Sequence, residues 1–172
     1  METELLNIES VSSEQKAAAL RKAGEIIREG GLVAFPTETV YGLGADALNA
    51  EAAAKIYAAK GRPSDNPLIV HIHDISQVYE IAEEVPDEAK AVMEKFWPGP
   101  LTIILNKKSC VPDGTTGGLH TVAIRMPSHP IARDFIRESG RMIAAPSANT
   151  SGRPSPTLAS HVYEDMQGRI PL

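Results

Sequence analysis

Four short segments rich in glycine and proline carry polar side chains where predicted strands end, and they constrain this chain more than any other feature. They cover residues 35–44, 60–67, 97–100 and 145–152. A strand fixes the position of the residues that follow it, proline fixes φ, and glycine lets backbone approach a ligand closely. The segments therefore predict a ligand site. Because Lys60, Arg62 and Arg125 lie in or beside them in a protein of net charge −5, the ligand is predicted to be an anion.

Hydrophobic periodicity predicts one α/β domain over residues 1–172. Strands are predicted at 32–35, 68–73, 101–105, 122–126 and 142–145. Helices are predicted after the capping box at 12–15, then at 49–59, 76–84, 87–96, 130–138 and 158–166. Residues 107–120 are interpreted as a mobile loop, and 168–172 as the start of a further strand. Strands that alternate with helices favour a twisted α/β sheet.

Bulk composition excludes several classes of protein. The acidic net charge leaves no global basic field for nucleic acid, so any RNA contact is expected to be local. The single Cys110 excludes an intramolecular disulfide framework and is typical of a reducing cytosol. The sequence shows no signal peptide and no apolar run of the ~20 residues that a membrane span needs. We therefore expect a cytoplasmic protein.

The basic residues of the second segment suggest a phosphate clamp. Lys60 and Arg62 stand on a constrained loop just after a predicted helix, where lysine supplies a point charge and arginine a planar fork. The alternative is a pair of solvated cations at a helix C-terminus, which the macrodipole also favours. The spacing Gly42-x-Gly44 is a weak nucleotide signal, since it is also typical of a tight strand-to-helix turn.

Three further positions have both a structural and a functional interpretation. Arg125 ends an apolar strand, so it needs either an internal carboxylate or a substrate carboxylate as partner. His71 and His73 share a strand face but have no evident further ligands, so no metal site is predicted and His71 is expected to touch a polar substrate. Ser147 and Asn149 form either a capped turn or a binding loop; no base is placed to make the serine a nucleophile.

At these residues the sequence resembles the threonylcarbamoyl-AMP synthase family, the YrdC-like proteins of tRNA modification. The resemblance runs from about residue 34 to the end of the chain and rests on several motifs. They are Pro36-Thr-Glu-Thr-Val-Tyr-Gly-Leu-Gly44, Lys60-x-Arg62, Asn66-Pro67, Phe96-Trp-Pro-Gly-Pro-Leu-Thr102, Arg125-Met-Pro127 and Pro146-Ser-Ala-Asn149.

The resemblance implies a reaction, a fold and a set of site residues. L-threonine, bicarbonate and ATP would give threonylcarbamoyl-adenylate and pyrophosphate, with Mg²⁺ carried by the ATP phosphates. A partner transferase would pass the group to tRNA, with at most a weak tRNA contact by this chain. The fold implied is a twisted open mixed sheet, flanked by helices, with a large positively charged cavity.

The catalytic tetrad falls on Lys60, Arg62, Ser147 and Asn149. Residues expected around threonine are Thr39, His71, Arg125 and Ala145. Residues expected around ATP are the tetrad with Asn66, Thr121 and Ser155.

The same resemblance raises a question of completeness and leaves two alternatives. Family members continue past Leu172 with a strand and a Gly/Ser-rich segment, so the domain is expected to be truncated at its C-terminus. Extension by about 30–40 residues is expected to raise stability and activity. One alternative function is a non-catalytic RNA-binding module that uses the same cavity. The other is a carbamoyl-adenylate enzyme of hydrogenase maturation, against which the single cysteine argues.

Overall fold

The computed structural model describes residues 1–172 and contains seven helices, one 3₁₀ turn and a six-stranded sheet. The helices are α1 Ser13–Arg28, α2 Ala50–Lys60, α3 Val78–Ile81, α4 Asp87–Phe96, α5 Asp113–Thr116, α6 Pro130–Ser139 and α7 Ala159–Met166, with the 3₁₀ turn at Ile75–Gln77. The strands are β1 Val33–Phe35, β2 Gly42–Asp46, β3 Ile69–His71, β4 Thr102–Asn106, β5 Thr121–Arg125 and β6 Ile143–Ala145. No helix is both long enough and apolar enough to cross a membrane.

The sheet is open and mixed, as predicted. Its strand order is β1-β2-β6-β3-β5-β4, so β1 and β4 form the two edges. Only β3 and β5 pair in parallel, and every other neighbouring pair is antiparallel. Because β3 and β5 are parallel, their carboxyl ends lie side by side and the residues that follow them leave the sheet at the same edge.

The two faces of the sheet are covered differently. One face packs under α2, α3, α4 and α7 in a core of 28 buried residues, with Leu43, Val70 and Ile124 among its strand residues. On the other face a smaller core of nine residues joins α1 and α6 to β1 and β6. Its strand residues are Val33, Phe35, Ile143 and Ala145. No helix residue of this smaller core packs on β3, β5 or β4, so that half of the second face is left open.

The sequence does not predict strand β2, because Gly-Leu-Gly-Ala-Asp has low strand propensity and its glycine spacing is also typical of a turn. The structure explains the glycines by close packing. A Cβ on Gly44 would lie 2.7 Å from a methyl of Ile143 and 3.0 Å from the Phe35 ring. The glycine therefore leaves room for the aromatic ring between β1 and β6, a contact that only the pairing of β2 with both strands creates.

Two other predictions are wrong. The supposed mobile loop at 107–120 contains the short helix α5, and the Thr115 hydroxyl, fully buried, donates to the Ala47 carbonyl at 2.7 Å. Buried hydrogen bonds of this kind anchor a segment whose glycine content alone suggests mobility. Residues 168–172 form no strand, although the Leu172 carbonyl accepts from the Ala34 amide of edge strand β1 at 2.8 Å.

Candidate functional site

The open half of the second sheet face brings Arg125 and His71 together. The two residues are register partners on β5 and β3, and both side chains lie on the face that carries Ile143 of the neighbouring β6. They are nearly inaccessible, at 8% and 4% relative exposure. Ile104, on the same face of the edge strand β4, is 65% exposed because no helix covers it. A cation and an imidazole therefore stand at the boundary between the covered and open halves of this face.

Arg125 has an internal partner. Its Nη2 forms an ion pair with Glu38 of the β1–β2 loop. Its Nη1 lies 3.3 Å from the Thr39 hydroxyl, and its Nε donates weakly to the Gly99 carbonyl at 3.4 Å. Burial lowers the pKa of Arg125, but a guanidinium stays charged in proteins. Of the two kinds of partner predicted for Arg125, the structure contains the internal carboxylate, Glu38.

Glu38 is the site residue to which sequence reasoning gave no role. One carboxylate oxygen contacts Arg125, and the other accepts from the Ser128 hydroxyl at 2.6 Å and from the Ser128 amide. The carboxylate therefore ties the β1–β2 loop to the β5–α6 loop across the open face. A buried arginine at a strand end requires a carboxylate, and the density of polar residues around Thr39 was the available signal.

His71 is held neutral. Burial, which is the largest cause, lowers the pKa of His71 to about 4. Its Nδ1 lies 2.9 Å from the Ile69 carbonyl, and its ring meets Phe35 edge to face at 5.8 Å between centroids. With Nδ1 donating to that carbonyl, Nε2 carries the lone pair. His71 can therefore accept a hydrogen bond from a ligand group but supplies no charge near neutral pH.

Lys60 meets the Ser147–Asn149 loop directly. The lysine ends α2 and is only 2% exposed, and its Nζ donates to the carbonyls of Ser147 at 2.5 Å and Asn149 at 2.6 Å. Burial is the main cause that lowers the pKa of Lys60 to about 8, with Arg62 adding to it and Asp165 opposing it. At least two of the three N–H donors of this ammonium are therefore engaged by the loop.

Arg62 and Asn149 each keep one buried polar atom without a protein partner. Gly61 closes α2 in the left-handed conformation with φ of 63°, and the chain then places Arg62, whose Nη2 donates to the Pro67 carbonyl at 3.2 Å. The Arg62 Nε is buried and unpaired. The Asn149 amide nitrogen donates to the Thr150 and Arg153 carbonyls at 2.9 Å, while its Oδ1 is buried and unpaired. Unpaired buried polar atoms are rare in folded proteins, and here one is a charged donor and the other an acceptor.

The remaining predicted residues are less closely connected. Ser147 is half-buried beside β2, where it bridges to Gly42, and Thr121 is half-buried at the start of β5. Asn66 and Ser155 are exposed on loops, and Ala145 is buried in β6, where it packs with α1 and α6. No group of three or more His, Cys, Asp or Glu side chains is arranged to hold a metal ion.

A cavity of about 430 Å³ lies away from these residues, beside the N-terminal segment, α1, α6 and α7. Its lining is mostly apolar and includes Leu20, Ala34, Phe135 and Leu158. None of the predicted site residues lines it. The polar groups of the candidate site lie elsewhere, with Arg125 and His71 on the second sheet face and Lys60, Arg62 and Asn149 around the C-terminal end of α2.

Comparison with known proteins shows the family of this chain. The model of the Sua5, YciO and YrdC family, whose description is telomere recombination, matches residues 25–172. Threonylcarbamoyl-AMP synthase of Bacillus subtilis is 60% identical over 155 residues, which cover 88% of this chain and 44% of that protein. The Pyrococcus abyssi synthase is 55% identical over 168 residues, covering 98% and 48%. A crystal structure of P. abyssi Sua5 complexed with L-threonine superposes with a TM-score of 0.89 at 56% identity, covering 94% of this chain and 46% of that one. The chain spans about half the length of the curated relatives it matches.

Proposed function

The chain belongs to the Sua5, YciO and YrdC family, and on that premise we propose that it forms threonylcarbamoyl-adenylate from L-threonine, bicarbonate and ATP, with release of pyrophosphate. The product would serve a transferase that modifies an adenosine of tRNA. We assign the protein to the cytoplasm. Support for the substrates comes from the names of the relatives and from the L-threonine bound to P. abyssi Sua5.

Two unpaired buried atoms on the loops that carry the tetrad support the proposal that the chain binds ATP. The Arg62 Nε offers a charged donor and the Asn149 Oδ1 an acceptor, and both are buried without a partner. A phosphate oxygen suits the first, and a ribose hydroxyl or an adenine amino group suits the second. An unpaired buried polar atom costs about 1–3 kcal/mol, so a ligand that satisfies both gains affinity.

The proposal that the chain binds threonine rests on Arg125, Thr39 and His71. The Arg125 guanidinium would pair with the threonine carboxylate, and Thr39, 3.3 Å from it, would face the same ligand. The His71 Nε2 is an acceptor in the tautomer that the Ile69 carbonyl favours. Threonine supplies a carboxylate, an ammonium and a hydroxyl, which match a cation and two neutral polar groups.

The proposed reaction requires that the substrates be aligned and that the negative charge of the phosphates be neutralised. The threonine amine and bicarbonate give a carbamate with loss of water. A carbamate oxygen then forms a bond to the α-phosphorus of ATP, and the bond from that phosphorus to the bridging oxygen breaks as pyrophosphate leaves. Such a displacement depends on positioning and electrostatics, so no protein nucleophile is needed. Lys60 holds the Ser147–Asn149 loop against the nucleotide while Arg62 neutralises phosphate charge. Mg²⁺ would accompany ATP on its phosphates and offset their charge.

The direct test is incubation with ATP, threonine and bicarbonate, assayed for pyrophosphate. We expect release that requires all three substrates. A site that bonds a hydroxyl rejects an isostere that lacks one, so valine should support far less release, with serine intermediate. Release that is the same without threonine would overturn the proposal.

Arg62→Lys should weaken ATP binding by about 1–3 kcal/mol, because the charge is kept while the planar fork is lost. Isothermal titration calorimetry with ATP measures the change. Arg21→Lys, at an exposed position of α1, is the matched control and should bind like the wild type. Unchanged affinity in Arg62→Lys would remove this side chain from the nucleotide site.

Glu38→Gln should strengthen threonine binding severalfold. The Glu38 carboxylate and the substrate carboxylate would both be drawn to Arg125, and two like charges that share one cation repel each other. Titration calorimetry with threonine measures the change, with Glu25→Gln on the exposed side of α1 as control. Weaker binding in Glu38→Gln would instead mean that Glu38 holds Arg125 in its productive orientation.

A further inference from the structure

One flank of α6 carries two arginines that the proposed reaction does not use. Arg133 and Arg137 are four residues apart and so lie one above the other on the helix. The inward residues of α6 are Ala132, Phe135 and Ile136, and the opposite flank meets α1, where the Glu138 carbonyl accepts from Arg28. Since α1 lies over β1 and β2, the arginine flank lies on the side of the open half of the sheet.

His73 lies just past the carboxyl end of β3, at the end of the sheet where the chain passes from α6 into β6. It is two residues beyond His71 and half-buried. Burial lowers the pKa of His73, and the positive charges of Arg137 and Arg133 lower it further, while Asp74 acts in the opposite direction. Three groups that can carry positive charge therefore lie at the end of the sheet where α6 leads into β6 opposite His71.

The acids in this region leave Arg133 without a partner. Arg137 pairs with Asp134 at 3.0 Å, and Asp74 accepts from the Ser76 amide at 2.8 Å. Arg133 takes part in none of the ion pairs of the structure, and its Nε is buried with no hydrogen-bond acceptor. A buried guanidinium N–H without an acceptor is costly, and an anion can supply that acceptor.

We propose that Arg133, Arg137 and His73 form a second anion subsite on the open face, which binds a phosphate group. A phosphate presents several oxygens to a guanidinium fork and can also accept from an imidazole. The subsite is separate from the tetrad because β6 is antiparallel to β3. Ser147 and Asn149 follow the end of β6 that lies beside Ile69, whereas His73 follows His71 at the other end of β3. The phosphate would come either from free pyrophosphate or from the phosphodiester backbone of an RNA strand that reaches the open face.

The test measures binding to the protein without ATP or threonine, so its outcome does not depend on synthase activity. The probes are sodium pyrophosphate and a short single-stranded RNA. The local readout is the pKa of His73, followed by NMR of its ring protons, because pyrophosphate held at Lys60 and Arg62 alone would leave that ring unaffected. Titration calorimetry gives the affinities. The variants are Arg133→Gln, Arg133→Lys and the exposed control Arg21→Gln.

We expect a bound phosphate to raise the pKa of His73 in the wild type and in the control. Arg133→Gln should not show this rise in the His73 pKa, and it should bind the probe about tenfold more weakly. Arg133→Lys should be intermediate, because it keeps the charge without the planar fork. A rise with pyrophosphate alone would assign the subsite to a free phosphate, and a rise with RNA alone to a phosphodiester. The proposal fails if neither probe changes the His73 pKa, or if Arg133→Gln, folded by circular dichroism, responds as Arg21→Gln does.

Discussion

Lys60→Met should reduce ATP binding more than a hundredfold and lower the free energy of unfolding by about 2 kcal/mol. The Ser147 and Asn149 carbonyls would lose their shared buried donor, and each unpaired buried acceptor costs about 1–3 kcal/mol. Removal of a desolvated charge offsets part of that cost. The loop that carries Ser147 and Asn149 would then lose its position against the nucleotide. Urea denaturation and calorimetry with ATP measure the two effects, with Lys16→Met on α1 as control.

The pH dependence of the free energy of unfolding of the same variant tests whether the Lys60 ammonium is desolvated. The pKa of Lys60 is about 8 in the folded protein and near 10.5 when unfolded. Between these values the unfolded state binds more protons, so the free energy of unfolding gains a contribution that rises with pH. Below about pH 8 both states are protonated and the contribution is constant. The difference in unfolding free energy between wild type and Lys60→Met should therefore grow from pH 8 to 10.5. A flat difference would show that Lys60 is not desolvated.

Arg125→Ala should abolish measurable threonine binding, a loss of a hundredfold or more. The substitution removes the cation for the substrate carboxylate and leaves Glu38 at the site as an unpaired anion that repels a second carboxylate. Calorimetry with threonine measures the effect, and ATP binding at the tetrad serves as the internal control. Threonine binding that survives in Arg125→Ala would place the amino acid elsewhere.

A double variant separates the two parts of that effect. Arg125→Ala leaves Glu38 without its cation and should destabilise the fold, because breaking a partly buried ion pair leaves one charge uncompensated. Arg125→Ala with Glu38→Ala should recover much of the lost stability but none of the threonine binding. Recovery of binding in the double variant would mean that Glu38 repulsion, rather than loss of Arg125, had prevented it.

The elements predicted correctly are those whose signal is local. The capping box at Ser12 begins α1, and the buried alternation of β5 ends at Arg125. The sequence fails to predict strand β2 and helix α5 for the same reason. The glycines of strand β2 allow Phe35 and Ile143 to pack closely against it. Helix α5 is held by the hydrogen bond from the Thr115 hydroxyl to the Ala47 carbonyl, which is distant in sequence. Neither contact leaves a periodic pattern in the sequence, because both partners are far away along the chain.

The candidate site divides in the same way. Sequence by itself determined the family, five of the six strands and the segments that carry Lys60, Arg62 and Arg125, because proline, glycine and charge in strand-end loops are recorded residue by residue. Only the tertiary structure decided what those charges do. The pairing of β3 with β5 sets His71 beside Arg125, and the partial cover by α1 and α6 leaves one half of a face open. The partner of each cation depends on which distant backbone or carboxylate the fold brings within hydrogen-bond reach, and that is a property of packing rather than of sequence order.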